Sequence, residues 1–207
     1  RPDRPERYDE QASFVYDQLP GVAVCVKGNF AGGSEAAAFK ISRFVLGVQE
    51  APRFDTPFWI VGPEKGLVIS PYWKEKLYGH GYIPDCEIDW DRVTWESCRQ
   101  FLPDTVPLRP WRDGNPAHNW VLVFRSYEQG REAQQAQSIG GFCFTEQFPW
   151  ELLIETLRGC REYNFHGSKI VEMTPLNPGE SLELKEKIET NTLPAGWKVY
   201  RMNARCN

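Results

Sequence analysis

The sequence predicts an α/β fold, built on a mostly parallel β-sheet with helices on both faces. Short valine-rich runs alternate with segments whose apolar residues recur at helical spacing, which is the pattern of parallel strands joined by helices. The runs are continuously apolar, as expected of strands buried on both faces. The chain has 207 residues, 41% hydrophobic and 25% charged, which fits one globular domain of this class.

The first part of the chain predicts two strands and three helices. Residues 1–19 are polar with scattered aromatic side chains and predict a leading helix. The run 21–26 is short, valine-rich and bounded by proline and glycine, so it predicts a buried strand. A glycine-rich turn follows, and apolar spacing then predicts a helix over 35–48. The run 58–63 predicts a strand ended by Gly-Pro, and 72–78 a short helix.

The rest of the chain begins with a break in this pattern. Between Gly79 and Pro116, five prolines and three tryptophans predict a long excursion from regular structure, with one short strand candidate over 92–95. A strand over 119–124 restores the order. The later elements are predicted from apolar runs and amphipathic spacing. They are strands over 139–144, 169–173 and 197–202, and helices over 150–161 and 180–189.

The charge of the chain restricts its function. The formal net charge is −4, whereas a protein that binds nucleic acid through its whole surface is usually basic. Any DNA contact is therefore expected to be local, weak or shared among subunits. No apolar run reaches the roughly 18 residues of a membrane span, and no signal peptide opens the chain. These features predict a soluble domain, and the opening without Met predicts a piece of a longer protein.

The cysteines and histidines argue against two further classes of site. The six cysteines include no C-x-x-C pair, and the three histidines stand far apart, which disfavours a disulfide framework and a zinc site. Cys25 and Cys143 lie inside apolar runs, so they are predicted to be core thiols in a reducing compartment.

The most informative segment is the turn after the first strand, which reads KGNFAGGS from Lys27 to Ser34. A phosphate-binding loop belongs at this place, where backbone N–H groups and a helix N-terminus point at one anion. The pattern G-x-x-x-x-G-K-[ST] finds its second glycine in Gly32 and its hydroxyl in Ser34. Gly33 occupies the lysine position, and Lys27 the position of the first glycine. Either Lys27 reaches back to the same phosphate oxygens, or it merely ends a strand and the loop records a lost ATP site.

Two other strand ends carry candidate groups. The run 139–144 leads to Thr145 and Glu146, where an ATPase of this type needs a carboxylate to hold Mg²⁺ and orient water. Thr145 replaces the usual aspartate, and Glu146 remains as the possible base for water or as a solvated carboxylate. The strand over 169–173 ends in Thr174, whose hydroxyl either senses the γ-phosphate or belongs to an ordinary Thr-Pro turn.

The order and spacing of these three elements resemble the large terminase subunit of tailed bacteriophages, the DNA-packaging ATPase. Members of that family commonly carry a segment like G-N-R-x-G-K-T-E-A-A-A after the first strand, and residues 28–38 read GNFAGGSEAAA. Some terminases have a deviant Walker A loop with its lysine at the start, which Lys27 and Gly33 resemble. Thr174 with the following proline resembles the family's coupling segment.

The resemblance implies a P-loop NTPase-like fold, with 1–207 as a single ATPase motor domain and the nuclease domain absent from this chain. It implies ATP and Mg²⁺ as cofactors, with Ser34 and Glu146 at the metal. The residues implied to bind the nucleotide are Gln11, Lys27, Gly28, Asn29, Phe30, Ala31, Gly32, Gly33, Ser34 and Glu35. Glu146, Lys27 and Thr174 are the implied catalytic groups. Arg131 either reaches the γ-phosphate of a neighbouring subunit or forms a surface ion pair.

The implied partners are double-stranded DNA, a portal or procapsid, a small terminase subunit and further copies of the chain in a ring, in the host cytoplasm. The implied activity is Mg-dependent ATP hydrolysis that moves DNA into the procapsid. A decayed scaffold with weak or no hydrolysis, serving assembly only, remains the alternative, and a helicase-like ATPase is a third possibility.

Overall fold

One sheet of eight strands organises the residues that the structure describes. The computed structural model describes residues 5–27, 32–47, 55–109, 119–129, 137–146, 148–160, 165–174 and 182–202. The strands are β1 (Ala23–Lys27), β2 (Thr56–Gly62), β3 (Thr94–Ser97), β4 (Leu102–Pro107), β5 (Trp120–Ser126), β6 (Gly141–Thr145), β7 (Lys169–Met173) and β8 (Lys198–Met202). Their order across the sheet is β3-β4-β5-β2-β6-β7-β1-β8. In this order, the six strands from β5 across the sheet to β8 pair in parallel with their neighbours. β3 pairs antiparallel with β4, and β4 antiparallel with β5. The predicted mostly parallel sheet is therefore confirmed.

Helices cover both faces of this sheet. They are α1 (Pro5–Tyr16), α2 (Gly33–Gly47), α3 (Lys65–Ile69) with a π-helical continuation (Ser70–Leu77), α4 (Trp150–Gly159) and α5 (Leu182–Glu189). Alternation along β2 shows the two layers: Phe58 and Ile60 join the core on the side of α1, α2 and α3, whereas Trp59 and Val61 join the core on the side of α4 and α5. The continuous apolar runs of the sequence are explained by this double burial.

The segment from Gly79 to Pro116 is more regular than the sequence predicts. β3 lies within it as expected near residues 92–95, but β4 was not predicted, because it contains Pro103 and ends at Pro107. Pro103 lies where the pairing with β3 is irregular, and Pro107 is the last residue of the strand, and a missing N–H is tolerated at such positions. The excursion prediction is therefore wrong for β4, while residues 110–118 lie outside the described part.

Burial confirms the predicted core thiols, since Cys25 and Cys143 are both fully buried. Tryptophans 59, 73 and 120 are also buried in the core. Within the described ranges, no helix combines the length and apolar character needed to cross a membrane.

The strand order places β7 between β1 and β6, and all three run in the same direction. Their carboxyl ends therefore meet at one edge of the sheet, where ligands bind in open α/β sheets.

Candidate active site at the carboxyl edge of the sheet

The last residue of β1 contacts the first turn of α2. The Lys27 Nζ donates a hydrogen bond to Ser34 Oγ over 2.7 Å, although seven positions separate the two residues in sequence. The lysine lies beside the hydroxyl that the phosphate-loop pattern assigns to the metal. The sequence left open whether Lys27 reaches back to the phosphate position or merely ends the strand. The structure brings its ammonium to Ser34, and the role of the pair toward a nucleotide stays a prediction.

Gly33 provides the space for this lysine. A Cβ atom added at Gly33 would lie 2.6 Å from Lys27 Cδ and 2.9 Å from Lys27 Cβ. The stem of Lys27 thus occupies the volume that any side chain at position 33 would need. A lysine at position 27 and a glycine at position 33 therefore form one structural unit, which explains why the two residues depart from the usual pattern together.

The start of α2 is built to face an anion. Gly32 has a φ of +73°, a left-handed conformation that glycine adopts without steric cost, and its carbonyl accepts the first helical hydrogen bond, from the Ala36 N–H at 3.0 Å. Residues in the first turn of a helix leave backbone N–H groups without helical partners. Ser34 lies in that turn, so the amides at the start of α2 can face a ligand, while the Ser34 hydroxyl is already hydrogen-bonded to Lys27.

Glu146 follows β6 directly and approaches the same lysine. Its Oε1 lies 3.3 Å from Lys27 Nζ, and its side chain is 49% exposed. Its φ is +62°, a left-handed conformation that costs a non-glycine residue about 1–3 kcal/mol. The preceding strand end is held by Tyr127, whose hydroxyl donates to the Thr145 carbonyl. A strained, half-exposed carboxylate beside a lysine is an arrangement typical of a reactive site.

Sequence reasoning missed a fourth member of the site, Glu172 in β7. This residue is fully buried, and its Oε1 accepts hydrogen bonds from Ser34 Oγ at 2.6 Å and from Lys27 Nζ. Its Oε2 accepts a hydrogen bond from the Tyr72 hydroxyl. One signal was present in the sequence: Glu172 is the single charged residue between Ile170 and Met173 in an apolar strand, and a buried carboxylate requires a charged or hydrogen-bonding partner.

The two carboxylates keep Lys27 charged. Burial, the largest single effect, lowers the pKa of Lys27, but attraction to Glu172 and then to Glu146 outweighs it, and the pKa of Lys27 is raised above its ordinary value. Lys27 therefore stays protonated at neutral pH. Burial, with the nearby Cys143 and Glu172, raises the pKa of Tyr72 well above its ordinary value, so the Tyr72 hydroxyl remains a hydrogen-bond donor.

The donor set suits a hard divalent cation. Ser34 offers a hydroxyl oxygen, and Glu146 and Glu172 offer carboxylate oxygens, which are the ligand types that Mg²⁺ prefers. One lysine and two carboxylates give these groups a formal sum of −1, so a polyphosphate would be favoured here only together with a cation. No cluster of three or more His, Cys, Asp or Glu residues able to hold a metal occurs among the described residues. A cation bound here would therefore need oxygen atoms from a bound polyphosphate in addition to those of the protein.

The other residues that the sequence predicts for the site are Gln11, Thr174, Glu35, Arg131 and the rest of the loop. Gln11 Nε2 lies 3.5 Å from the position of a Cβ at Gly32, so the side chain reaches the end of the loop. Thr174 is buried immediately after β7. Glu35 accepts a hydrogen bond from the Tyr82 hydroxyl and lies 2.8 Å from His80 Nδ1. Gly28, Asn29, Phe30, Ala31 and Arg131 lie outside the described residues.

Comparison with known proteins gives likeness at the level of structure alone. No protein-family model matches the chain, and no curated protein matches it. Solved structures do match: the large terminase of the thermophilic bacteriophage D6E superimposes with a TM-score of 0.57 and 14% identity over 93% of this chain. The large terminase ATPase domain of Thermus phage P74-26 superimposes with a TM-score of 0.59 and 13% identity over 92% of this chain.

The chain has the fold of a large-terminase ATPase domain. The family resemblance drawn from the sequence is thereby confirmed at the level of the fold, as is the expected P-loop NTPase-like architecture. The chain spans 44% of the D6E large terminase and 78% of the P74-26 ATPase domain. Solved forms of the D6E terminase include complexes with ADP and with ATP-γ-S.

Proposed function

We propose that this chain is the Mg-dependent, ATP-hydrolysing motor domain of a viral DNA-packaging terminase, which translocates double-stranded DNA into a procapsid. The observation that carries the proposal is the 2.7 Å contact between Lys27 Nζ and Ser34 Oγ at the start of α2. It puts a cation next to the expected metal-binding hydroxyl, in a fold shared with terminase ATPase domains. The nucleotide complexes of the D6E terminase support ATP as the ligand.

The residues divide the work of the proposed reaction. Lys27 and the amides around Gly32 and Gly33 hold the phosphates, and Ser34 holds the cation. When bound, Mg²⁺ would neutralise charge on the phosphate oxygens. Glu146 lies on the solvent side of Lys27 with half of its side chain exposed, where it can orient an attacking water. Thr174, at the end of the adjacent strand, is the proposed sensor of the γ-phosphate, and Gln11 is the proposed contact to the adenine.

The proposed partners follow from the terminase assignment. They are double-stranded DNA, a portal or procapsid, a small terminase subunit and further copies of this chain in a ring, all in the host cytoplasm. The net charge of −4 favours DNA contacts that are shared among the subunits of a ring, because one acidic domain gains little from phosphate neutralisation. Arg131 remains the proposed residue that acts across the subunit interface.

The rival function is a decayed scaffold, favoured by the absence of the usual lysine at Gly33 and of the usual aspartate at Thr145. Binding of ATP and its turnover separate the two. We expect the wild type to bind ATP with Mg²⁺ and to hydrolyse it slowly as an isolated domain. Lys27→Ala should weaken ATP binding by about 10- to 100-fold, since a hydrogen bond to a charged group contributes about 1.5–3 kcal/mol.

Two further variants complete this experiment. Glu146→Gln should keep ATP affinity and lose turnover, because it removes the group that orients water. Lys169→Ala is the matched control: Lys169 is also a buried lysine in this sheet, but it lies at the amino end of β7, where its Nζ donates to the Pro20 carbonyl over 3.2 Å. Binding and turnover equal to background in the wild type and in Lys27→Ala alike would support the decayed scaffold.

Stimulation tests the motor assignment against a helicase-like ATPase. Turnover should rise when a portal or procapsid and double-stranded DNA are added together. A rise with single-stranded nucleic acid alone would contradict the packaging role and favour a helicase.

A further inference from the structure

The aspartate that usually precedes the glutamate at position 146 is missing, yet the Ser34 hydroxyl still has a carboxylate partner. In P-loop ATPases the loop Ser or Thr and an aspartate on a neighbouring strand hold Mg²⁺ together. Here β6 ends in Thr145, which has no charge, whereas Ser34 Oγ donates a hydrogen bond to Glu172 Oε1 over 2.6 Å. The carboxylate comes from a different strand.

The register of the sheet explains how this is possible. Thr145 in β6 pairs directly with Glu172 in β7, so the two residues are neighbours on the same face of adjacent parallel strands. β7 lies between β6 and β1 in the sheet. A carboxylate on β7 is therefore one strand nearer to Lys27 and Ser34 than a carboxylate at position 145 would be.

The surroundings of Glu172 hold its carboxylate in one orientation. The Tyr72 hydroxyl donates to Oε2, while Oε1 faces Ser34 and Lys27. All of the side chain is buried, and a buried carboxylate is tolerated only with such partners. Tyr72 comes from the π-helical segment after α3, so three separate elements converge on this one group.

We propose that Glu172 supplies, from the neighbouring strand, the carboxylate that Thr145 lacks, and that it positions the Ser34 hydroxyl and the Mg²⁺ that accompanies the nucleotide. This assignment rests on the proposed function. Glu172 is a positioning residue, because it acts through Ser34 and the cation, and Tyr72 fixes its carboxylate. The missing aspartate is then a relocated group rather than a lost one.

The test measures how much Mg²⁺ strengthens ADP binding, with ADP titrated calorimetrically in excess MgCl₂ and in EDTA. The quantity of interest is the ratio of the two affinities, which does not depend on turnover. In Glu172→Gln this ratio should fall by about tenfold, the value of one hydrogen bond to a charged group. In Thr145→Asp/Glu172→Gln, where the carboxylate returns to its usual strand, the ratio should recover. Glu96→Gln removes an ion-paired carboxylate away from the site and should leave the ratio unchanged.

Each outcome bears on the assignment. An unchanged ratio in Glu172→Gln overturns it, and so does an equal gain in ADP affinity with and without Mg²⁺, which would mean that Glu172 only competes with phosphate for Lys27. If Glu172→Gln does not fold, Tyr72→Phe replaces it: loss of the bond to Oε2 should lower the ratio, and an unchanged ratio there overturns the assignment. A wild type that binds no ADP under either condition overturns the proposed function itself.

Discussion

A Gly33→Ala substitution tests whether Lys27 needs the space at position 33, because it fills that space and leaves the lysine itself unchanged. The new Cβ would lie 2.6 Å from Lys27 Cδ and 2.9 Å from Lys27 Cβ, whereas non-bonded carbon atoms rest about 3.5–4.0 Å apart. The stem must therefore move by about 1 Å. Because Lys27 Cβ is fixed to β1, rotation of the stem can relieve only the contact with Cδ, and the start of α2 must shift to relieve the contact with Cβ. Either movement displaces the ammonium relative to Ser34.

The expected losses follow from this displacement. Overpacking a buried site costs about 1–3 kcal/mol in the free energy of unfolding. The loss of the bond between the ammonium and Ser34 should also weaken binding of ADP with Mg²⁺ by about tenfold or more. Urea denaturation measures the first effect and calorimetric titration the second. Gly66→Ala is the control, since a Cβ at Gly66 meets nothing within 4 Å and alanine favours a helix by about 0.5–1 kcal/mol.

A double variant isolates the cause. In Lys27→Ala the Cγ and Cδ atoms are gone, so only the contact between the two Cβ atoms, 2.9 Å apart, remains. Gly33→Ala should then cost clearly less free energy of unfolding than it does in the wild type, because residues in contact are not additive. An equal cost in both backgrounds would refute the idea that the two positions form one unit.

Three further outcomes are expected. Tyr72→Phe should lower the free energy of unfolding by about 1–3 kcal/mol, since it leaves Glu172 Oε2 buried without its donor, and denaturant melts showing no loss would contradict that contact. Burial lowers the pKa of Lys40 from 10.5 to about 8. As pH rises, Lys40 thus loses its proton in the native state before it does so in the unfolded state. Between pH 8 and 10.5 the free energy of unfolding of the wild type should therefore rise relative to that of Lys40→Met. A difference that does not change with pH would contradict the lowered pKa. Iodoacetamide should label exposed Cys86 in the native protein but not buried Cys143, whose pKa burial raises; peptide mass spectrometry tests this.

The layered fold could be predicted from the sequence, because burial on both faces makes each central strand a continuous apolar run. β1, β2 and β7 were visible in this way. β4 was not, because Pro103 and Pro107 argue against a strand in any sequence pattern, and only the pairing with β3 and β5 makes the segment a strand. Tertiary pairing overrides local preference there.

The site was only partly predictable for a related reason. Lys27, Ser34 and Glu146 lie in or beside recognisable motifs, so their types and spacing point to phosphate and metal chemistry. Glu172 carries no motif, and its partner Tyr72 lies 100 positions away in the chain. Glu172 faces Ser34 because of the order of the strands in the sheet. The spacing of residues along the sequence does not reveal that order. The one available signal was a charge within an apolar strand.

The two departures from the usual ATPase pattern are better explained as relocations than as decay. A decaying site loses groups independently, which would leave a buried charge without a partner, at a cost of about 3–5 kcal/mol when a buried pair is broken. Here the lysine missing from position 33 is matched by Lys27, whose stem occupies the volume left by Gly33. The carboxylate missing from position 145 is matched by Glu172 at the paired position of the next strand. The relocated groups also bind each other and Ser34. Because Lys27 depends on Gly33 for space and on Glu172 for a charge partner, these groups are coupled as a maintained site requires. The decayed scaffold must explain why both changes occur in compensated form.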